Sequence, residues 1–207
     1  LEALDLESRF VHGRRFTSPQ ALDAVERVLA GVVNTGLAAG LPAAGTTAGG
    51  LSGRDGGMVR ARPEAGLGRV GTPEAVDPAP IRALWDAGLL PVVSPVASDG
   101  EGRPVNVNAD EAALGLARAL EARTLVYLSD VDGVRIDGTT AETLTPDSVE
   151  RRIEDGTIAG GMALKVRVAL EASAAGVPEV VIAGKARLLG SFAGTRLLSK
   201  APSEVNR

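Results

Sequence analysis

Residues 124–133 read TLVYLSDVDG: a short apolar run goes straight into a serine, two aspartates and a glycine. An apolar run without alternation is the pattern of a strand covered on both faces, and its polar exit is where such a strand turns toward the next element. Both flanks read as helix. Upstream, NADEAALGLARALEA (108–122) sets Ala109, Ala112, Ala113, Leu116 and Leu120 on one face. Downstream, TPDSVERRIEDG (145–156) is a capped, charged helix. In GTIAGGMALKVRVALEAS (156–173) a helix is expected from Met162, with Leu164, Val168, Ala169 and Ala172 near a 3.6-residue repeat. PEVVIAG (178–184) is another buried strand, TRLLSK (195–200) a last short one, and APSEVNR (201–207) a loose tail.

The first half continues the theme. SPQALDAVERVLAGVVNTGLAAGL (18–41) opens with Ser18 as N-cap and Pro19 at the first helical position, and Leu22, Val25, Val28 and Leu29 form its stripe. GLAAGLPAAGTTAGG (36–50) reads as a Gly/Ala-rich linker, followed by short extended runs between glycine turns up to Pro63. DPAPIRALWDAG (77–88) is a capped helix ending at Gly88, and LLPVVSPV (89–96) a buried strand. Helices alternating with continuous apolar strands give an α/β fold with a mostly parallel central sheet and helices on both faces. Ligands then collect at the carboxyl ends of the strands.

Composition narrows the chemistry. Of 207 residues, 44% are hydrophobic and 23% charged, the balance of an ordinary globular chain. A formal net charge of −4 argues against nucleic acid or an anionic membrane as partner. With no Cys, thiolate chemistry is excluded. The single His12 leaves no histidine cluster for a metal and reads as structural. No window reaches the length expected of a membrane span, and no segment resembles a signal peptide, so the expected location is the cytoplasm.

Three polar clusters follow strands or open helices. In NVNADEAA (106–113), Asn108 and Asp110 suit an N-cap and a first-turn acid, whereas Asn106 is left over and suits a polar ligand equally well. Asp130, Val131, Asp132 and Gly133 form either a plain acidic strand exit or a pair of acids beside a nucleotide. Gly160 and Gly161 precede a helix whose first turn carries Lys165, a cation at the end the dipole disfavours. The lysine is either solvated, or joins the glycine-flanked N–H groups around an anion. No Walker A, dinucleotide or protein-kinase signature accompanies them.

In order along the chain, FVHGRRFTS (10–18), LAGVVN (29–34), GLSGRDGG (50–57), AGLLPVVSPV (87–96), NVNADEAA, LSDVDGV (128–134) and GGMALKV (160–166) resemble segments of the amino acid kinase superfamily, and within it the acetylglutamate kinases. The resemblance implies an amino acid kinase-like αβα sandwich. It also implies an enzyme that transfers the γ-phosphoryl of ATP to the side-chain carboxylate of N-acetyl-L-glutamate in arginine biosynthesis. ATP and Mg2+ held mainly by the nucleotide phosphates are the implied cofactors, with no metal site on the protein itself.

By the same resemblance Lys165 stabilises charge on the transferring phosphoryl and Asp110 orients the catalytic lysines. Arg15 grips a substrate carboxylate, and Asn106 hydrogen-bonds the substrate. Asp130, Val131, Asp132, Gly133, Gly160 and Gly161 face the nucleotide. The acceptor-binding lobe is expected over residues 1–122 and the nucleotide lobe over 123–207, as one continuous domain that forms a homodimer or higher homo-oligomer.

The family's Lys-x-Gly-Gly strand and Gly-Gly-Gly loop do not occur in these residues, and the chain starts at Leu1 rather than Met. A polypeptide longer at its N-terminus is therefore expected, with these residues alone inactive in phosphoryl transfer. A short stretch around 187–195 implies weak arginine feedback. The alternatives are a kinase for carrier-bound aminoadipate or glutamate in lysine biosynthesis, and a non-catalytic binding homologue.

Overall fold

The computed structural model describes residues 9–11, 14–184 and 194–199. His12, most of the 187–195 stretch and the 201–207 tail lie outside the described residues. The chain divides into two compact units, Leu1–Ala119 and Leu120–Arg207.

The first unit begins with a hairpin of β1 (Phe10–Val11) and β2 (Arg14–Arg15), in which Phe10 faces Arg15 and Val11 faces Arg14. Ser18 then caps α1 (Pro19–Glu26), its hydroxyl accepting from the Ala21 amide at 3.1 Å. The helix does not stop there. It continues as a π-helical stretch, Arg27–Asn34, then as α2 (Thr35–Gly40) and a 3₁₀ turn, Leu41–Ala44, before Gly45 turns left-handed at φ 82°. The expected linker over 36–50 is thus helical through Ala44. Alanine and leucine outweigh the glycines there, and Pro42 falls in the first turn of the 3₁₀ segment, where its missing N–H costs nothing.

Pro19–Ala44 is also long and apolar enough, by length and composition, to cross a membrane, contrary to the sequence-based expectation. Most of it is exposed, and its buried residues are Ala21, Leu22 and Asn34. Buried Asn34 donates from Nδ2 to the carbonyls of Leu51 (3.2 Å) and Val92 (2.7 Å), tying the helix to two strands. Those strands are β3 (Ala48–Ser52) and β6 (Leu90–Ser94), a parallel pair.

The rest of the unit is a small closed barrel of β4 (Val59–Pro63), β5 (Val70–Val76), β8 (Pro104–Val107) and β7 (Val96–Ser98). Sequence reading takes residues 89–96 as one strand. Pro95, which has no N–H to continue a ladder, divides that run between the β3–β6 pair and the barrel. Met58, Val59, Val70, Val96, Val105 and Val107 fill the core. Between β5 and β6 lies α3 (Ala79–Asp86), ended by Gly88 at φ 74°.

Asp99 closes the β7–β8 turn, accepting from the Glu101 and Arg103 amides at 2.9 Å and from Arg103 Nε at 2.8 Å. The Arg103 side chain, aided by those amides, holds the Asp99 carboxyl below the usual carboxylate range. That turn fixes β8, which leads into α4 (Ala109–Ala119).

The second unit has a four-stranded sheet in the order β12 (Thr143–Leu144), β14 (Thr195–Leu197), β13 (Glu179–Gly184), β9 (Thr124–Ser129). β9 and β13 are parallel, with Gly184 opposite Ser129, and β14 runs antiparallel to β13. β13 is central and buried from Val180 to Gly184. β9 ends the described sheet, so Tyr127 is buried while Leu128 is exposed, a half-covered strand where a fully buried one is expected. A short hairpin of β10 (Arg135–Ile136) and β11 (Thr139–Thr140) follows β9.

α5 (Pro146–Glu154) starts with a capping box between Thr145 and Ser148, and α6 (Gly160–Ala174) packs on the sheet through Val166, Ala169 and Leu170. Each fully buried valine or isoleucine here contributes roughly 1.5–3 kcal/mol. Every element predicted from periodicity in this unit is present.

Candidate active site

In the first unit, three predicted residues converge on the junction between the β1–β2 hairpin and the start of α4. The Arg15 guanidinium carbon sits 4.4 Å from the centroid of Phe10, its cross-strand partner, so a cation–π contact orients the side chain. Thr17, fully buried, donates its hydroxyl to the Arg15 carbonyl at 2.9 Å. The same oxygen accepts from Asn106 Nδ2 at 3.1 Å. Arg15 and Asn106 are thereby linked through one hydroxyl.

Asn108 is the cap of α4, its Oδ1 accepting from the amides of Asp110 (2.9 Å) and Glu111 (3.2 Å). Asp110 therefore sits half-buried in the first turn, where its charge complements the helix dipole. Asn108 takes the capping role, and Asn106 meets Thr17.

Sequence reasoning passes over two residues at this junction. Thr17 stands inside the quoted FVHGRRFTS segment without a role. Its backbone is pinned too, the carbonyl accepting from Arg69 at 2.7 Å, while Gly68 turns at φ 70° where a Cβ would lie 2.3 Å from that carbonyl oxygen. Glu111 reads as a second first-turn acid, but its carboxylate is engaged by Arg14 Nη2.

In the second unit, Asp130, Val131, Asp132 and Gly133 form the exit from β9. Asp130 and Asp132 are exposed, and Gly133 is buried at φ 148°, with Thr140 and Thr195 closing on it. A cavity of about 420 Å³ is lined by Asp130, Val131, Asp132, Arg135, Gly138 and Thr140. A neighbouring one of about 230 Å³ joins Val131 and Gly133 to the start of α6 through Ile158, Ala159 and Met162. The structure thus brings the aspartate loop and the glycine-led helix together.

α6 begins at Gly160, two residues earlier than expected. The glycines form its first turn, with Gly160 left-handed at φ 57°, and Ala159 provides no side-chain cap. A Cβ built on Gly160 or Gly161 meets nothing within 4 Å, so this backbone edge is open. Lys165 consequently falls in the second turn, where the dipole penalty has largely decayed. Its Nζ lies 5.5 Å from the Tyr127 ring centroid. The described residues contain no group of three acidic, His or Cys side chains able to hold a metal ion.

The amino acid kinase family model matches residues 1–184, which span both units. The chain belongs to the amino acid kinase family. Among its relatives, the acetylglutamate kinase of Rubrobacter xylanophilus is 44% identical over 196 residues, covering 94% of this chain and 77% of that protein. The acetylglutamate kinase of a Roseiflexus species is 45% identical over 203 residues, covering 96% and 77%. Among solved structures, the smu.665 protein of Streptococcus mutans superposes with a TM-score of 0.88 at 26% identity, covering 96% of this chain and 80% of that one. The α/β amino acid kinase architecture is therefore shared.

Proposed function

We propose that the chain phosphorylates the side-chain carboxylate of N-acetyl-L-glutamate with ATP, a step of arginine biosynthesis carried out in the cytoplasm. The observation that carries the proposal is identity of 44% to an acetylglutamate kinase along 94% of the chain. The geometry within each unit supports it. A carboxylate oxygen of the acceptor attacks the γ-phosphorus, the bond to the bridging oxygen breaks, and ADP leaves with that electron pair. No protein nucleophile is needed, so the residues contribute position and charge.

Arg15, pre-oriented on Phe10, holds a substrate carboxylate, and Asn106 hydrogen-bonds the bound substrate. Asp130, Val131, Asp132 and Gly133, with Gly160 and Gly161, receive the nucleotide, whose phosphates approach the open start of α6. Lys165 stabilises the charge that develops on the moving phosphoryl. Asp110 orients the lysine machinery. Mg2+ belongs with the nucleotide, its ligands being chiefly phosphate oxygens.

Assembly into a homodimer or higher homo-oligomer is part of the proposal. Val28, Val32, Val33 and Leu37 expose an apolar strip along Pro19–Ala44 that suits a second copy. Sedimentation of the full-length protein tests it, and a monomer at all concentrations would remove that part.

Acyl phosphate trapped with hydroxylamine, from free acetylglutamate and ATP, is the expected product of the full-length enzyme. Turnover confined to a carrier-bound substrate would replace the acceptor. Arg15→Lys should raise KM for acetylglutamate about tenfold, since a point charge replaces a planar fork that is worth roughly one extra charge-assisted bond. Asp110→Asn should lower kcat more than it raises either KM. An unchanged KM in the first variant, or a pure KM effect in the second, would reassign those residues.

A further inference from the structure

The Arg14–Glu111 ion pair joins residues 97 apart in the chain, from the β1–β2 hairpin to the first turn of α4. It is partly buried, with side-chain exposures of 24% and 11%. Arg14 precedes Arg15, and Glu111 follows Asp110, so each partner of the pair adjoins a residue assigned to the site. Thr17 makes a second tie on the other side of Arg15, to Asn106. Both ties end on the same segment, β8 and the start of α4. Arg15 therefore lies between two anchors on one support.

A hairpin of two residues per strand cannot hold itself in water. Its strands have little apolar surface to bury, and Phe10 is 59% exposed. The anchors accordingly place the hairpin, and with it the Arg15 fork that stacks on Phe10. The pair is also only half made. Arg14 Nε and Glu111 Oε2 are buried and have no hydrogen-bond partner among the described residues, although the guanidinium and carboxylate have the shapes for a two-bond contact. A contact with one bond formed and one available holds the hairpin yet leaves it room to settle.

We propose that Glu111 is a positioning residue: by gripping Arg14 it presets Arg15 for the substrate carboxylate, and the Arg14–Glu111 pair closes to its two-bond form when substrate is held. The inference rests on Arg15 being the carboxylate ligand. Removing the tie leaves Arg15 present but mobile, so the cost falls on acceptor binding, as ordering that free protein previously supplied. Chemistry and nucleotide binding, which use other residues, keep their rates.

Steady-state kinetics of the full-length protein test this with Glu111→Gln, which retains shape and removes charge. KM for acetylglutamate should rise about tenfold, a change of about 1.4 kcal/mol, with KM for ATP and kcat within about twofold. The exchanged pair Arg14→Glu with Glu111→Arg should recover most of the loss, a rescue that a general loss of stability would not give. Hydrogen exchange of the amides at residues 14–17 should quicken in Glu111→Gln and return in the exchanged pair.

If Arg15→Lys raises the acetylglutamate KM and Glu111→Gln does not, the positioning role is overturned and the functional reading stands. If the unsubstituted protein fails to turn over acetylglutamate, the functional reading falls, and this inference with it. A fall in kcat with unchanged KM in Glu111→Gln, or an exchanged pair no better than either single change, also overturns the role.

Discussion

Lys165→Ala is expected to lower kcat roughly a hundredfold or more, because removing one donor aimed at transition-state charge costs about 3 kcal/mol. The structure makes this a clean experiment. Lys165 lies in the second turn of α6, half-buried, while the helix packs through Val166, Val168, Ala169 and Leu170, which the substitution leaves alone. Its Nζ over Tyr127 contributes about 0.5–1 kcal/mol of cation–π energy at most for such a partly exposed site. Alanine is also the better helix former. The thermal midpoint should therefore move by only a few degrees, and KM for acetylglutamate should hold. A variant that keeps wild-type kcat would remove the lysine from the chemistry.

The distribution of what was legible follows from which forces are local. Strand β13 was readable because VVIA is apolar without alternation, and it is indeed central and buried. Helices α1 and α5 were readable because their caps, Ser18 and Thr145, act within three residues. The helix read over 18–41 is present too, but its stretch over 36–44, read also as linker, was legible only in part. Glycines at 31, 36 and 40 weaken helix on local grounds, but Asn34 reaches across to two strand carbonyls, and that tertiary bond has no mark in the sequence. The division of residues 89–96 depended on which partner each half of the run found beyond Pro95, again a matter of distant pairing.

The site shows the same split. Asn108 as cap and Asp110 as first-turn acid are local and were legible. That Asn106 meets Thr17, and that Glu111 meets Arg14, involves separations of 89 and 97 residues, and pattern reading has no access to either. The start of α6 was misjudged by two residues because glycine propensity argues against helix. Gly160 takes a left-handed φ that only glycine adopts readily, so it opens the helix instead of preceding it. The oddity of a cation in the first turn thereby shrinks: one turn further in, Lys165 feels little of the dipole and keeps its reach.

Gly184→Ala should damage both the fold and nucleotide binding, through a single steric conflict. Gly184 is the last residue of β13, and its Cβ would lie 2.4 Å from Asp132 Oδ1, 2.9 Å from Asp132 Cα and 3.1 Å from the Val131 carbonyl oxygen. A carboxylate could swing aside, but a backbone Cα at that distance cannot, so either strand or loop must move. The strand is the stiffer of the two. β13 pairs with β9 along its whole length, from Glu179 opposite Thr124 to Gly184 opposite Ser129, and with β14 on its other side. The loop after Ser129 has exposed aspartates and short bonds of its own, such as Ser129 Oγ to Asp130 Oδ1 at 3.1 Å. The loop therefore yields. Overpacking of this kind costs about 1–3 kcal/mol, so the denaturant midpoint should fall with the slope unchanged. Because Val131 lines both cavities and Asp132 the larger one, the displaced loop should also raise KM for ATP, by about tenfold if one good hydrogen bond to the nucleotide is lost. Acetylglutamate binding, which draws on Arg15 and Asn106 in the other unit, should be spared. Urea unfolding and the two Michaelis constants, measured on one preparation, separate the outcomes. Lower stability with a normal ATP KM would mean that β13 gave way and the loop kept its place. A variant unchanged in both would show that the contact at Asp132 relaxes without consequence, and that the aspartate loop is not held by the end of β13.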